Sequence, residues 1–303
     1  MPARVIDCTA IANEIKQEII HEVEVLKKKG IVPGIATLLV GDNFGAKMYR
    51  GQVEKFCAEV GFQYINANPP VTASEQDVMQ IVRDLNQDDQ VSGILPLRPF
   101  PDQISDTVII NSIDVNKDID CFHPYNMGKL ALGEVTFPPA TPAACIEILE
   151  REKVDFVGAE IVVVGHSNIV GKPAMLLALN RNATTTNIHV FTAKAGNSDK
   201  HTLGADILIV GAGVPNLIKK HQVKKGAMVI DVGINRVKVL DEKGQPVLDD
   251  KGKPKTKTVG DVAFDEVCEV ASAITQVPGG VGVVTNMMLM KNALKACKMQ
   301  HKI

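Results

Sequence analysis

The sequence predicts an α/β protein of two domains, each built on a parallel sheet, and three observations carry that prediction. Its 303 residues suit two domains of about 150 residues each. Short runs rich in Val and Ile alternate with stretches whose apolar positions recur at helical spacing. Most strand runs are apolar throughout, as sheets covered by helices on both faces require.

In chain order, helical spacing predicts a helix over residues 10–26, and a β-rich run at 35–40 ends at Gly41. A helix at 46–60, a strand near 62–65, a helix at 75–85 and a strand at 91–95 continue the alternation. Strands separated by helices are parallel, because a crossover must return the chain to the same end of the sheet. Pro96, Pro99 and Pro101 end the strand in a loop, and an irregular stretch is expected to run on to Pro142. A helix at 141–152 leads to a strand at 161–164 that ends in Gly165, so the domain boundary is placed near residue 146. Strands at 187–191, 206–210 and 228–232 make the second half doubly wound. Two turn signals, EKGQP and DKGKP, predict an exposed hairpin over 236–258. A last helix at 284–299 is expected to return to the first domain.

Composition narrows the function classes. A formal net charge of -2 and no long basic stripe argue against a nucleic-acid partner, leaving the lysines of 251–257 as a solvated hairpin tip. The start MPARVIDCTAIANEI has no apolar signal core and no window is apolar enough for a membrane span, so a cytoplasmic protein is expected. Cys8, Cys57, Cys121, Cys145, Cys268 and Cys297 form no CxxC pair and have no His at ligand spacing. Neither a metal site nor a disulfide framework is expected.

Four places carry candidate chemistry. IVVVGHSNIVGKP reads as strand, glycine turn and helix, with Gly165 and Gly171 flanking Ser167, where a dinucleotide fingerprint has its middle glycine. Such a turn lets pyrophosphate oxygens approach helix N-terminal N–H groups, although glycine serves backbone geometry in any βα turn. QVPGGVGVVT, residues 276–285, sets three glycines and a proline before the last helix, favouring a ligand loop over a plain turn. KDIDCFH, residues 117–123, offers two carboxylates and an imidazole, suited to acid–base work or to capping and surface charge. Tyr49 shares a helix face with Gln52, Val53 and Phe56, an arrangement more often core than site.

In order along the chain, GAKMY, SGILPLRPFP, KDIDCFHPYNMG, PPATP, VVVGHSNIVGKP, ADILIVGAGVPN, GAMVIDVGIN, GDVAFD and ITQVPGGVG resemble the motifs of the methylenetetrahydrofolate dehydrogenase/methenyltetrahydrofolate cyclohydrolase family. The resemblance covers essentially the whole chain. It implies a folate-binding catalytic domain at 1–145 completed by the helix 284–303, a Rossmann-like NAD(P)-binding domain at 146–283, a cleft between them and a homodimer. The implied substrate is 5,10-methylenetetrahydrofolate, with NAD or NADP as hydride acceptor. Tyr49 matches the tyrosine that lines the folate site and Asp120 the aspartate that hydrogen-bonds the pterin; these are the expected catalytic residues. Pro278, Gly279 and Gly280 match the folate-contacting loop. Gly165, His166, Ser167, Ile169, Val190, Gly211 and Ile234 fall at cofactor positions.

Where the resemblance places an essential lysine and its glutamine partner, this chain has Val53 and Leu97. Lys47 and Lys55 point to the other side of the helix, Gln52 is no base, and Arg98 carries a guanidinium that accepts protons poorly. Hydride departure needs alignment more than a proton carrier, whereas hydrolysis must move protons. The expectation is a dehydrogenase with little or no cyclohydrolase activity. The alternatives are a bifunctional enzyme with a replacement group and a non-catalytic folate-binding paralogue. His166 replaces the arginine, and Val190-Phe191 the Ser-Arg or Ser-Lys pair, that the resemblance associates with the 2′-phosphate of NADP. With only Lys194 and Arg181 left to approach it, the lean is slightly to NAD.

Overall fold

The computed structural model describes residues 2–241, 245–248, 250 and 252–303. Its first elements are β1 (Arg4–Val5), α1 (Cys8–Lys27), β2 (Gly34–Leu38), α2 (Phe44–Val60), β3 (Gln63–Ala67), α3 (Glu75–Gln87) and β4 (Gly93–Pro96). Next come α4 (Asp106–Ser112), α5 (Pro124–Ala131), α6 (Ala140–Arg151), β5 (Glu160–Val164), α7 (Gly171–Leu179), β6 (Thr184–Ile188), α8 (Val190–Lys194) and α9 (Ser198–Thr202). The chain closes with β7 (Ile207–Val210), β8 (Met228–Asp231), β9 (Asn235–Lys238), β10 (Thr256–Val259), α10 (Phe264–Val267), β11 (Ala273–Ile274) and α11 (Val281–Gln300). It divides into two compact units, Ala12–Ala140 with Thr285–Ile303, and Met1–Ile11 with Thr141–Val284.

The unit containing Ala12–Ala140 has a three-stranded parallel sheet in the order β3-β2-β4, with Ile35 opposite Tyr64 on one side and Gly93 on the other. Its central strand, GIATL, is buried at every position. Asn43 caps α2 by accepting from the Ala46 N–H, and Gly61 at φ 79° ends it. The buried stripe of α2 is Ala46, Val53, Cys57 and Val60, so helical period sets position 53 against the core. Ser74 and Asp77 form a capping box at α3, whose Val78, Val82 and Leu85 join Ile94 and Ile109 in one apolar cluster. On α11, Asn292 Nδ2 donates to the carbonyls of Ile119 and Pro138, 2.8 Å each, tying the last helix to this unit.

The stretch expected to be irregular as far as Pro142 instead contains α4 and α5. At seven and eight residues they are too short to show apolar periodicity. Their caps, Ser105 and His123, and Pro124 at the start of α5 read as loop signals in the sequence although all three are helix-starting features.

The other unit holds a six-stranded, wholly parallel sheet in the order β1-β11-β8-β7-β5-β6. Val162, Val164, Leu208, Val210 and Val229 form its apolar centre. The outer strand β6, TTTNI, buries only Ile188, because one edge has no neighbour and its threonines remain accessible. The strand expected at 187–191 therefore ends at Ile188: His189 accepts from the Phe191 N–H and starts the short helix α8, so Val190 and Phe191 are helical. β9 and β10 pair antiparallel as a hairpin, while parts of the two turn signals lie outside the described residues. Among the described residues no helix is long and apolar enough to cross a membrane. Nor does any group of three or more His, Cys, Asp and Glu stand ready to hold a metal there.

Candidate active site

Within the six-stranded unit a pocket of about 440 Å³ opens where β5, β6 and β7 end, the position at which parallel sheets bind nucleotides. Gly165, His166, Ser167, Val190 and Gly211 line it, five of the seven expected cofactor residues. Ile169 and Ile234 are exposed and outside that lining; the Ile234 side chain lies 3.9 Å from where a Cβ on Gly282 would sit.

The glycine turn is as tight as its sequence suggests. Gly165 has φ +112°, and a Cβ there would stand 2.3 Å from the Gly211 carbonyl oxygen; one on Gly171 would stand 2.1 Å from the Gly165 oxygen. Gly165 thus lets the β5 and β7 loops meet, Gly171 lets the start of α7 close on Gly165, and the same bareness leaves a cradle for a phosphate-bearing ligand. Ser167 Oγ accepts from the N–H groups of Val170, at 3.1 Å, and Gly171, at 3.4 Å, capping α7 itself. Asn187 Nδ2 donates to the Gly165 oxygen at 2.7 Å and fixes the turn from β6. The rings of His166 and His189 stack with centroids 4.6 Å apart.

Two buried carboxylates, unassigned from the sequence, hold these loops. Asp261 Oδ2 accepts from the N–H groups of Ala212 and Gly213 at 2.6 and 2.7 Å, and its Oδ1 accepts from Asn235 Nδ2 at 2.7 Å. Asp231 accepts from Gly233, Asp261 and Val262 N–H groups at 2.9, 3.0 and 3.0 Å. Burial pushes the Asp231 carboxyl up to about 6 against those three donors. The signal was present in GAMVIDVGIN and GDVAFD: a Cβ on Gly233 would lie 2.2 Å from Asp261 Oδ1, and one on Gly260 would lie 1.8 Å from Asp231 Oδ2. Each glycine makes room for the other segment's carboxylate.

In the three-stranded unit Tyr49 and Asp120 come together. Burial first, and then the charge of Asp120, raises the Tyr49 phenol well above its usual range. Burial raises Asp120 to about 7; the Ala140 N–H, 2.8 Å from Oδ1, opposes the rise, Asp118 adds to it and Arg98 opposes it. The rest of KDIDCFH is architectural. Asp118 accepts from Phe122 N–H, His123 N–H and Asn126 Nδ2, His123 Nδ1 caps α5, and Lys117 Nζ donates to the Leu85 and Asp88 carbonyls. Val53 is 0% and Leu97 3% exposed, hydrocarbon at both positions. Gln52 is exposed, and Lys47 and Lys55 pair with Asp42 and Glu59. Pro278 is exposed, Gly279 adopts φ +91°, and Gly280 is buried with no room for a Cβ beside the Gln276 carbonyl.

Comparison with known proteins follows the same division. The family described as tetrahydrofolate dehydrogenase/cyclohydrolase, catalytic domain, matches residues 6–120, and its NAD(P)-binding domain matches residues 139–301. The protein named Bifunctional protein FolD of Acetivibrio thermocellus is 42% identical over 303 residues, all of both chains. Among solved structures, bifunctional FolD of Campylobacter jejuni superposes with TM-score 0.89 at 38% identity, covering 98% of this chain and 99% of that one. The Trypanosoma brucei dehydrogenase-cyclohydrolase, complexed with NADP and an inhibitor, gives TM-score 0.89 at 33% identity over all of both chains.

Proposed function

Because the chain belongs to the tetrahydrofolate dehydrogenase/cyclohydrolase family, we propose that it transfers a hydride between 5,10-methylenetetrahydrofolate and a nicotinamide dinucleotide, giving 5,10-methenyltetrahydrofolate. The observation that carries this reading is the cradle of Gly165 and Gly171 at the strand ends, whose shape suits a dinucleotide. When bound, the nicotinamide ring supplies the hydride acceptor. Asp120 is the acceptor for the pterin's N–H groups, and Tyr49, packed beside it, orients the reacting ring. Loss of hydride leaves a cation shared between two nitrogens of the folate, so orientation is what the protein must supply.

Two readings of the hydrolytic step have support. The A. thermocellus and C. jejuni relatives are named bifunctional, which supports a second, cyclohydrolase activity through a replacement group more than the single activity expected from position 53. One observation favours the dehydrogenase alone: Val53 and Leu97 are buried hydrocarbon, and neither can carry a proton beside Tyr49. Purified protein supplied with methylenetetrahydrofolate and either cofactor decides between them. Accumulating methenyltetrahydrofolate supports the dehydrogenase alone, rapid passage to formyltetrahydrofolate the bifunctional enzyme, and absence of turnover the binding paralogue.

For the cofactor, our reading places NAD ahead of NADP. Among the described residues the pocket lining contains no lysine or arginine. Arg181 is engaged by Glu150 at 2.7 Å, and Lys194 lies over the Phe191 ring at 5.4 Å. A strong NADP preference in kcat/KM would refute it. A homodimer and a cytoplasmic setting belong to the same proposal, the first checked by light scattering and the second by fractionation.

A further inference from the structure

We propose that His166, stacked on His189, makes the choice between the two nicotinamide cofactors depend on pH: neutral, it leaves the pocket uncharged and suited to the ribose hydroxyl of NAD, and protonated, it supplies a cation for the 2′-phosphate of NADP. The inference rests on the dinucleotide reading of the pocket where β5, β6 and β7 end. The two cofactors differ by one phosphate, so a site tells them apart by the charges and donors beside the adenosine ribose. In parallel dinucleotide-binding sheets that contact comes from a residue about 20 positions past the glycine turn. Here the place falls on His189, directly after β6, and His166 of the glycine turn stacks on it, ring centroids 4.6 Å apart and planes inclined by 29°. Both rings line the pocket, and among its lining residues they are the only ones that can carry a charge.

The two imidazoles are not equivalent. His189 Nδ1 accepts from the Phe191 N–H at 3.3 Å and starts α8, so a proton on Nδ1 would break that cap. His189 therefore stays neutral, with its proton on Nε2. The His166 side chain is exposed and has no hydrogen-bond partner among the described residues. Two stacked cations repel, so the pair holds one charge, and His166 carries it. The other charged groups on the surrounding elements lie outside the lining. Lys172 of α7 donates to Asn168 Oδ1, and Lys194 of α8 lies over the Phe191 ring. On α9, Asp199 accepts from Gln222 Nε2, and Lys200 and His201 follow it outside the lining. Beyond β7, Asp261 takes the Ala212 and Gly213 N–H groups, Lys219 and Lys220 face Glu266 and Glu269, and His221 is exposed outside the pocket.

The test is calorimetric binding of NAD and of NADP to the full-length protein between pH 8.5 and 6.5, in which range a phosphate monoester keeps most of its second charge while an imidazole gains one. The affinity for NADP relative to NAD is expected to rise about tenfold as pH falls across it, the size expected of one charge-assisted hydrogen bond. In His166→Gln the ratio should stay nearly level, and in His166→Lys it should be high at both ends. His189→Asn keeps an acceptor for the Phe191 N–H and should leave the rise in place. A ratio independent of pH in the parent protein, a rise that survives in His166→Gln, or a rise lost in His189→Asn would overturn the proposal. Binding of neither dinucleotide at any pH would instead sink the dinucleotide reading, and the inference with it.

Discussion

Asp120→Asn is expected to make the protein more stable at alkaline pH while removing its activity. The carboxyl titrates at about 7 in the folded protein, against an ordinary value of 3.8. A folded value above the unfolded one means that its favourable contribution is fully present below pH 3.8 and is lost as pH rises through about 7. At about 1.4 kcal/mol per pH unit, ionised Asp120 costs the fold about 4 kcal/mol above pH 7. Asparagine keeps an oxygen for the Ala140 N–H, 2.8 Å away in the parent, and never ionises. The two proteins should therefore melt together near pH 4 and diverge steadily to pH 7. Above that the gap should level off at roughly 10 °C, in the transition of the unit that contains Asp120. Thermal melts of both proteins from pH 4 to 8 measure it. A pH-independent difference, or a variant less stable at pH 8, would refute the argument that burial of an ionised carboxylate dominates at this position.

Asp261→Ala removes the acceptor of three donors, and leaving them unpaired in the interior should cost about 3–5 kcal/mol. A raised KM for the nicotinamide cofactor should accompany the loss, since Ala212 lines the pocket; a melting point within two degrees of the parent would contradict this. Gly165→Ala, at φ +112° and facing a carbonyl oxygen, is expected to cost about 2 kcal/mol or more and to weaken cofactor binding by calorimetry. Val53→Lys combined with Leu97→Gln should raise methenyltetrahydrofolate hydrolysis by roughly 10²-fold if a proton carrier is what the site lacks. A parent that already hydrolyses the methenyl compound rapidly would show that another group performs the step.

The six-stranded sheet was legible because its central strands are runs rich in Val, Ile and Leu, and the glycine turn because few residues fit its geometry. What escaped depends on contacts distant in sequence. β1 and β11 are two residues each: β1 pairs with β11 across most of the chain length, and β11 in turn pairs with β8. The caps of α4, α5 and α8 are serine and histidine, which look the same in a loop. Asp231 and Asp261 stood inside recognisable motifs, yet their role depends on Gly233 and Gly260 making way for two carboxylates. The acidic run 117–123 shows the converse: of its two carboxylates, Asp118 accepts the backbone donors of a turn, while Asp120 accepts from the Ala140 N–H.

Position 53 brings packing and chemistry into one argument. Helical period sets it on the buried face of α2, one turn beyond Tyr49, so its side chain must either be hydrocarbon or be an ion with a partner. Valine, with leucine at the likewise buried position 97, is the first solution, hydrocarbon that carries no proton. Hydride transfer tolerates that choice because its charge develops on the folate and passes to the cofactor without a proton leaving the protein. Water addition asks more, because an oxygen must lose a proton as the ring opens and neither position 53 nor position 97 offers a carrier, which leaves the Asp120 carboxyl, raised to about 7, as the titrating group beside Tyr49. The separation of the two activities, if measured, therefore follows from the same two substitutions that complete the core.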